Sequence, residues 1–69
     1  MNQHERIRKH IRDFGSITPM EAFQDLGITK LSTRMGEMIR NGEKYSKTMV
    51  SATNRYGKKV HFMRYAEGV

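Results

Sequence analysis

Apolar residues recur at helical spacing through the first forty positions, and then alternate with polar ones. Ile7, Ile11 and Phe14 stand at i, i+4 and i+7, the stripe of an amphipathic helix over 3–14. Gly15 is suited to close it, and Arg8, Lys9 and Arg12 belong to its solvated side. Thr18-Pro19-Met20-Glu21 has the residues of a capping box with proline at the first helical position. It predicts a second helix over 19–26 that buries Met20, Phe23 and Leu26 and ends at Gly27. Glu21 is thereby a capping residue rather than an acid catalyst. Thr29 is the expected N-cap of a third helix, 30–41. There Leu31, Met35, Met38 and Ile39 face inward, while Lys30, Thr33, Glu37 and Arg40 face outward, flanked by Arg34 and Asn41.

Past Asn41-Gly42 the period changes. Residues 44–53 alternate and are rich in Thr, Val and Ser, as strands are. Asn54-Arg55-Tyr56-Gly57 is a turn sequence. Residues 58–65 form a second strand with Val60 and Phe62 on one face and His61 and Met63 on the other, and 66–69 are expected to fray. The whole chain, 1–69, reads as a single α+β domain of three helices followed by a two-stranded antiparallel hairpin. Only Gly27-Ile28-Thr29 separates the second and third helices, which makes them a helix-turn-helix unit. A basic hairpin placed after such a unit is a wing.

Charge sharpens this picture. Thirteen Lys and Arg against seven Asp and Glu give a net charge of +6. Residues 1–27 are balanced, and residues 28–69 hold nine bases and three acids. The surplus therefore lies on the third helix and the hairpin, and it suggests a polyanionic partner. The absence of Cys excludes disulfides, thiolate zinc sites and thiol catalysis. No apolar run approaches the roughly 18 residues of a membrane span, and Met1-Asn2-Gln3-His4-Glu5 lacks an apolar signal segment. The expectation is a soluble protein of the cytoplasm.

Chemistry beyond binding has little to build on. His4 and His10 lie six apart, off the i, i+3 or i, i+4 spacing of ligand pairs, so no metal or other cofactor is expected. No nucleophile elbow, phosphate loop or paired-carboxylate motif is present, so no enzymatic activity is expected. The first helix carries Glu5 and Asp13 among its bases and only three large apolar residues, which argues against membrane association. A helix entering a major groove needs small or polar residues near its start and long donors for bases and phosphates. Lys30, Ser32, Thr33, Arg34, Glu37 and Arg40 meet that description. Glu37 can accept from cytosine N4, or pair with Lys30 or Arg34 on its own helix. In the wing, Arg55 can enter a minor groove while Lys58 and Lys59 grip phosphate.

Gly15-Ser16-Ile17-Thr18-Pro19-Met20-Glu21-Ala22 and Thr53-Asn54-Arg55-Tyr56-Gly57-Lys58-Lys59-Val60 resemble segments of the small winged helix-turn-helix proteins of tailed bacteriophages and prophages. The likeness covers residues 7–65 and includes Leu26-Gly27 at the turn, Arg34-Met35 in the third helix and Arg64-Tyr65 closing the wing. It implies a sequence-specific binder of double-stranded DNA in a bacterial host cell. Helix 30–41 would occupy the major groove, with 54–59 on the backbone or minor groove. The implied role is phage or prophage regulation, in transcription, excision or replication accessory function. The alternative is a phage protein that binds and inhibits a host protein, such as a nucleic-acid enzyme or CRISPR effector. Monomer and homodimer are both open to it. Gly36 departs from the pattern, since relatives often place a bulkier residue there, and a glycine inside a helix costs up to about 1 kcal/mol relative to alanine.

Overall fold

The computed structural model describes residues 2–68. Asn2 caps helix α1, Gln3–Phe14, by accepting from the Glu5 amide at 2.8 Å. A two-residue strand β1, Ser16–Ile17, follows, and then helix α2, Pro19–Leu26. The capping box at its start is complete. The Glu21 amide donates to Thr18 Oγ1 at 3.3 Å and the Thr18 amide donates to Glu21 Oε1 at 2.9 Å. Gly27, at φ +69°, ends the helix in a conformation that L side chains rarely adopt. The next amide, Ile28, donates back to the Ala22 carbonyl at 3.0 Å. This reversal turns Ile28 into the core.

Helix α3, Leu31–Arg40, begins one residue later than its sequence suggests. Lys30, not Thr29, is its N-cap, and no side chain caps it. Strands β2, Tyr45–Thr53, and β3, Lys59–Glu67, form the hairpin. The sheet is wholly antiparallel, in the order β1-β3-β2, so the hairpin is joined by a third strand too short to show as alternation. Ala66 and Glu67, expected to fray, are in β3. Ala66 pairs with both Ser16 and Ser46, and the Gly68 amide donates to the Lys44 carbonyl at 2.9 Å. Val69 lies outside the described residues.

The core comprises Ile7, Ile11, Ile17, Ala22, Ile28, Leu31, Met35, Met38 and Tyr65, with Leu26, Tyr45 and Met63 against it. Several expected members are elsewhere. Phe14 is 72% exposed, because the last turn of α1 overruns the core, and its ring leans on that of His10. Met20 and Phe23 are 63% and 58% exposed. The small Ala22 is the residue α2 buries, and Phe23 and Met20 follow it about 100° and 160° around the helix. Ile39 is only half-buried, at the margin of the buried stripe.

His10, and not Phe14, is buried on α1 beside Ile7 and Ile11. Its two ring nitrogens lie against the Ser16 carbonyl oxygen at 3.2 Å and Asp25 Oδ2 at 3.1 Å. One side chain thus ties α1 to β1 and α2. A second tie involves Arg8, which sequence placed on a solvated face. Its guanidinium donates through Nε and Nη2 to both oxygens of Glu43, at 2.8 and 2.7 Å, and the Tyr45 hydroxyl donates to Glu43 Oε1 at 2.7 Å. The connection between α3 and β2 is thereby clasped to α1. Arg8, and secondarily Tyr45, pull the Glu43 carboxyl down to about 2. Burial and then the Glu43 bond push the Tyr45 hydroxyl up to about 12.

Because the Glu43 carboxyl titrates lower in the folded chain than its ordinary value of 4.5, its stabilisation is complete above pH 4.5 and is lost as pH falls toward 2. Arg8 is 38% exposed, and solvent screening limits the effect to about 1 kcal/mol. Urea titrations at pH 6 and pH 2.5 should show Glu43→Gln less stable than wild type by that amount at pH 6, with the gap reduced but still open at pH 2.5, since it closes only as pH falls through about 2.

Candidate nucleic-acid interface

On α3, burial of Leu31, Met35 and Met38 dictates what faces out. Ser32, Thr33 and Arg40 are exposed, as is Lys30 at the cap, while Arg34, Gly36 and Glu37 are half-buried. Gly36 stands on this outer side between Thr33 and Arg40. A Cβ built there would meet only Arg40 Nη2, at 3.9 Å. No neighbouring helix approaches it, so the fold does not require glycine at this position.

Glu37 pairs with Arg34 and not with Lys30. Arg34 Nη1 donates to Glu37 Oε1 at 3.1 Å, and His4 Nε2, from α1, donates to the same oxygen at 2.9 Å. The His4 bond foremost, with the charges of Arg34 and Arg40, holds the Glu37 carboxyl below the usual range. Arg34 Nε is buried without a partner among the described residues. Asn2, Gln3, His4 and Arg34 line a shallow cleft of about 260 Å³ beside it. Sequence gave no sign that His4 belongs to this group, since the pairing spans 33 positions and depends on how α1 crosses α3.

The hairpin builds the other half. Asn54 Oδ1 accepts from the amides of Tyr56 and Lys58, both at 3.0 Å. The Asn54 amide donates to the Lys58 carbonyl at 2.8 Å. With Gly57 at φ +78°, these bonds fix the turn and place Arg55 and Tyr56 at its apex. Every residue from Ser51 to His61 is exposed, so the tip extends past the core. Across the strands His61 faces Ser51, with His61 Nδ1 and Ser51 Oγ 3.0 Å apart.

Ion pairing divides the charges unevenly. Glu43 is bound by Arg8, Asp13 by Lys9 and Glu37 by His4 and Arg34. Of the nine bases in residues 28–69, only Arg34 enters an ion pair among the described residues. Lys30, Arg40, Lys44, Lys47, Arg55, Lys58, Lys59 and Arg64 are exposed and enter no ion pair among the described residues. The predicted site residues therefore fall in two groups, 30–40 on α3 and 55–59 around the tip. No hydrogen bond or ion pair joins them among the described residues. No helix of the described residues is long and apolar enough to cross a membrane, and no group of three or more His, Asp or Glu is placed to hold a metal ion.

Replacing Gly36 by Ala should raise the unfolding free energy by about 0.5–1 kcal/mol, since the side chain has room and the helix gains propensity. Thermal or denaturant unfolding of the variant measures it.

A family model described as a winged helix-turn-helix domain matches residues 2–67. No curated protein and no solved structure shows a significant match.

Proposed function

Because the chain belongs to the winged helix-turn-helix domain family, a DNA-binding fold, we propose that it recognises double-stranded DNA by sequence and acts as a phage or prophage regulator. In this reading α3 enters the major groove. Thr33 and Arg34 address base edges there, with Lys30, Ser32, Glu37 and Arg40 around them. The tip, with Arg55, Lys58 and Lys59, lies on the backbone or in the minor groove. The observation that carries the proposal is the set of exposed cations left unpaired on α3, the hairpin and the connection between them. Surface charge kept only for solubility would tolerate pairing with the chain's own carboxylates. Here the described ion pairs form mainly around α1, and the cations of the other surface stay free to displace counterions from a phosphate backbone. The regulatory role rests on the resemblance in residues 7–65 to small phage and prophage proteins.

A second reading has its own observation. Phe14, Met20 and Phe23 are large, apolar and exposed on the first two helices, side chains of the kind that a protein partner would cover. A pull-down that recovers a stoichiometric host protein, from a chain that gives no salt-sensitive DNA shift, would favour an inhibitor of that host protein.

Contact with about five phosphates sets the slope of log K against log[salt] at about −4 to −5, measurable by fluorescence anisotropy on a labelled duplex. A slope near zero rejects the electrostatic basis of the reading. In the same assay Thr33→Ala and Arg34→Ala should narrow the gap between selected and random duplexes. Lys58→Ala should weaken both about equally, and indistinguishable effects would reject that division of labour. A palindrome enriched from a random duplex pool would mean that two copies bind together.

A further inference from the structure

An acidic residue on a surface meant for a polyanion needs a reason. Glu37 is the only carboxylate of α3, and it lies on the helix's outer side. The fold holds it in place from two directions. Oε1 accepts both bonds, from His4 Nε2 at 2.9 Å and from Arg34 Nη1 at 3.1 Å. Oε2 accepts none among the described residues, and the side chain is 37% exposed. One oxygen is therefore anchored, and the other remains an acceptor.

We propose that His4, which belongs to α1 and not to the helix-turn-helix, is a positioning residue that holds Glu37 for reading the exocyclic amino group of cytosine in the major groove. The inference rests on the DNA-binding reading above. Cytosine presents a hydrogen-bond donor at N4, whereas guanine and thymine present acceptors that repel a carboxylate. Adenine sets its N6 donor beside the N7 acceptor, which a carboxylate also disfavours. The two anchors of Glu37 differ in permanence. Arg34 Nε is a buried donor without a partner, so turning Arg34 outward toward guanine breaks one bond and relieves an orphaned group. His4 has no such competing role. It remains on Oε1 when Arg34 leaves, and so keeps the carboxylate oriented. The charged groups around this bond are Arg34 and Arg40 of α3, Glu43 of the following connection, and Arg8 of α1 paired to Glu43.

The test is selection from a random duplex pool with wild type, Glu37→Ala, His4→Ala and His4→Gln. Glu37→Ala identifies the base pair that Glu37 reads, and wild type should prefer cytosine there by about tenfold. His4→Ala should reduce that preference to less than about threefold while leaving the other positions and the salt slope unchanged. His4→Gln, whose amide can donate to Oε1, should restore it. Thermal melts establish that each variant is folded. If His4→Ala is not, His4→Phe supplies a ring without a donor. Retained cytosine preference in the folded non-donor variant, or a uniform loss of affinity at every position, overturns the inference. So does a wild-type motif without cytosine at the Glu37 position. Salt-sensitive binding that enriches no motif overturns this inference but leaves DNA binding standing, whereas absence of any DNA shift removes the DNA reading itself.

Discussion

The pairing of Ile17 with Tyr65 holds the helices and the hairpin together. Both side chains are buried, and they face one another across β1 and β3. This contact brings the chain between α1 and α2 against the base of the wing. A domain of this size buries a comparatively small share of its surface on folding, so the hairpin cannot have a core of its own. Its distal half is exposed throughout, and its orientation is set at the base, where Tyr65 enters the core and Tyr45 and Met63 pack against it. A two-stranded hairpin alone would be marginal in water. Two residues of added strand make it part of the domain.

Polar ties complete what the small core begins, and they are concentrated on α1. His10 reaches β1 and α2, Arg8 reaches the α3–β2 connection, and His4 reaches α3. Each satisfies groups that would otherwise be partly desolvated without a partner, the condition under which a polar group destabilises most. The electrostatic consequence extends across the molecule. Most described ion pairs involve α1, and apart from Arg34, which pairs with Glu37, the cations of α3 and the hairpin are exposed and enter no ion pair among the described residues. Folding thus creates a charge asymmetry in space from one already present along the chain.

Much was legible in the residue order because it depends on near neighbours. The Thr18–Glu21 capping box, the reversal at Gly27 and the turn held by Asn54 and Gly57 involve groups within a few positions of one another. Local backbone geometry decides them, and periodicity then separates the inward Leu31, Met35 and Met38 from the outward Thr33 and Arg40. The basic composition of α3 and of the tip can be read in the same way.

Burial at the margins and the partners of the charges could not be read so. Periodicity marks a stripe but not where the core ends, so it assigns Phe14, Met20 and Phe23 to the core, whereas α1 overruns the core and α2 packs through Ala22. β1 has too few residues for alternation and exists because β3 lies beside it. Arg8–Glu43 and His4–Glu37 join residues 35 and 33 positions apart, and no local rule selects them. The amino-acid order by itself determined the helices, the turns and which segments are cationic, through dihedral preference, capping and hydrophobic period. The tertiary structure alone decided that Arg8 engages Glu43 and His4 engages Glu37, and where burial stops, because that depends on how helices cross and how far the small core extends.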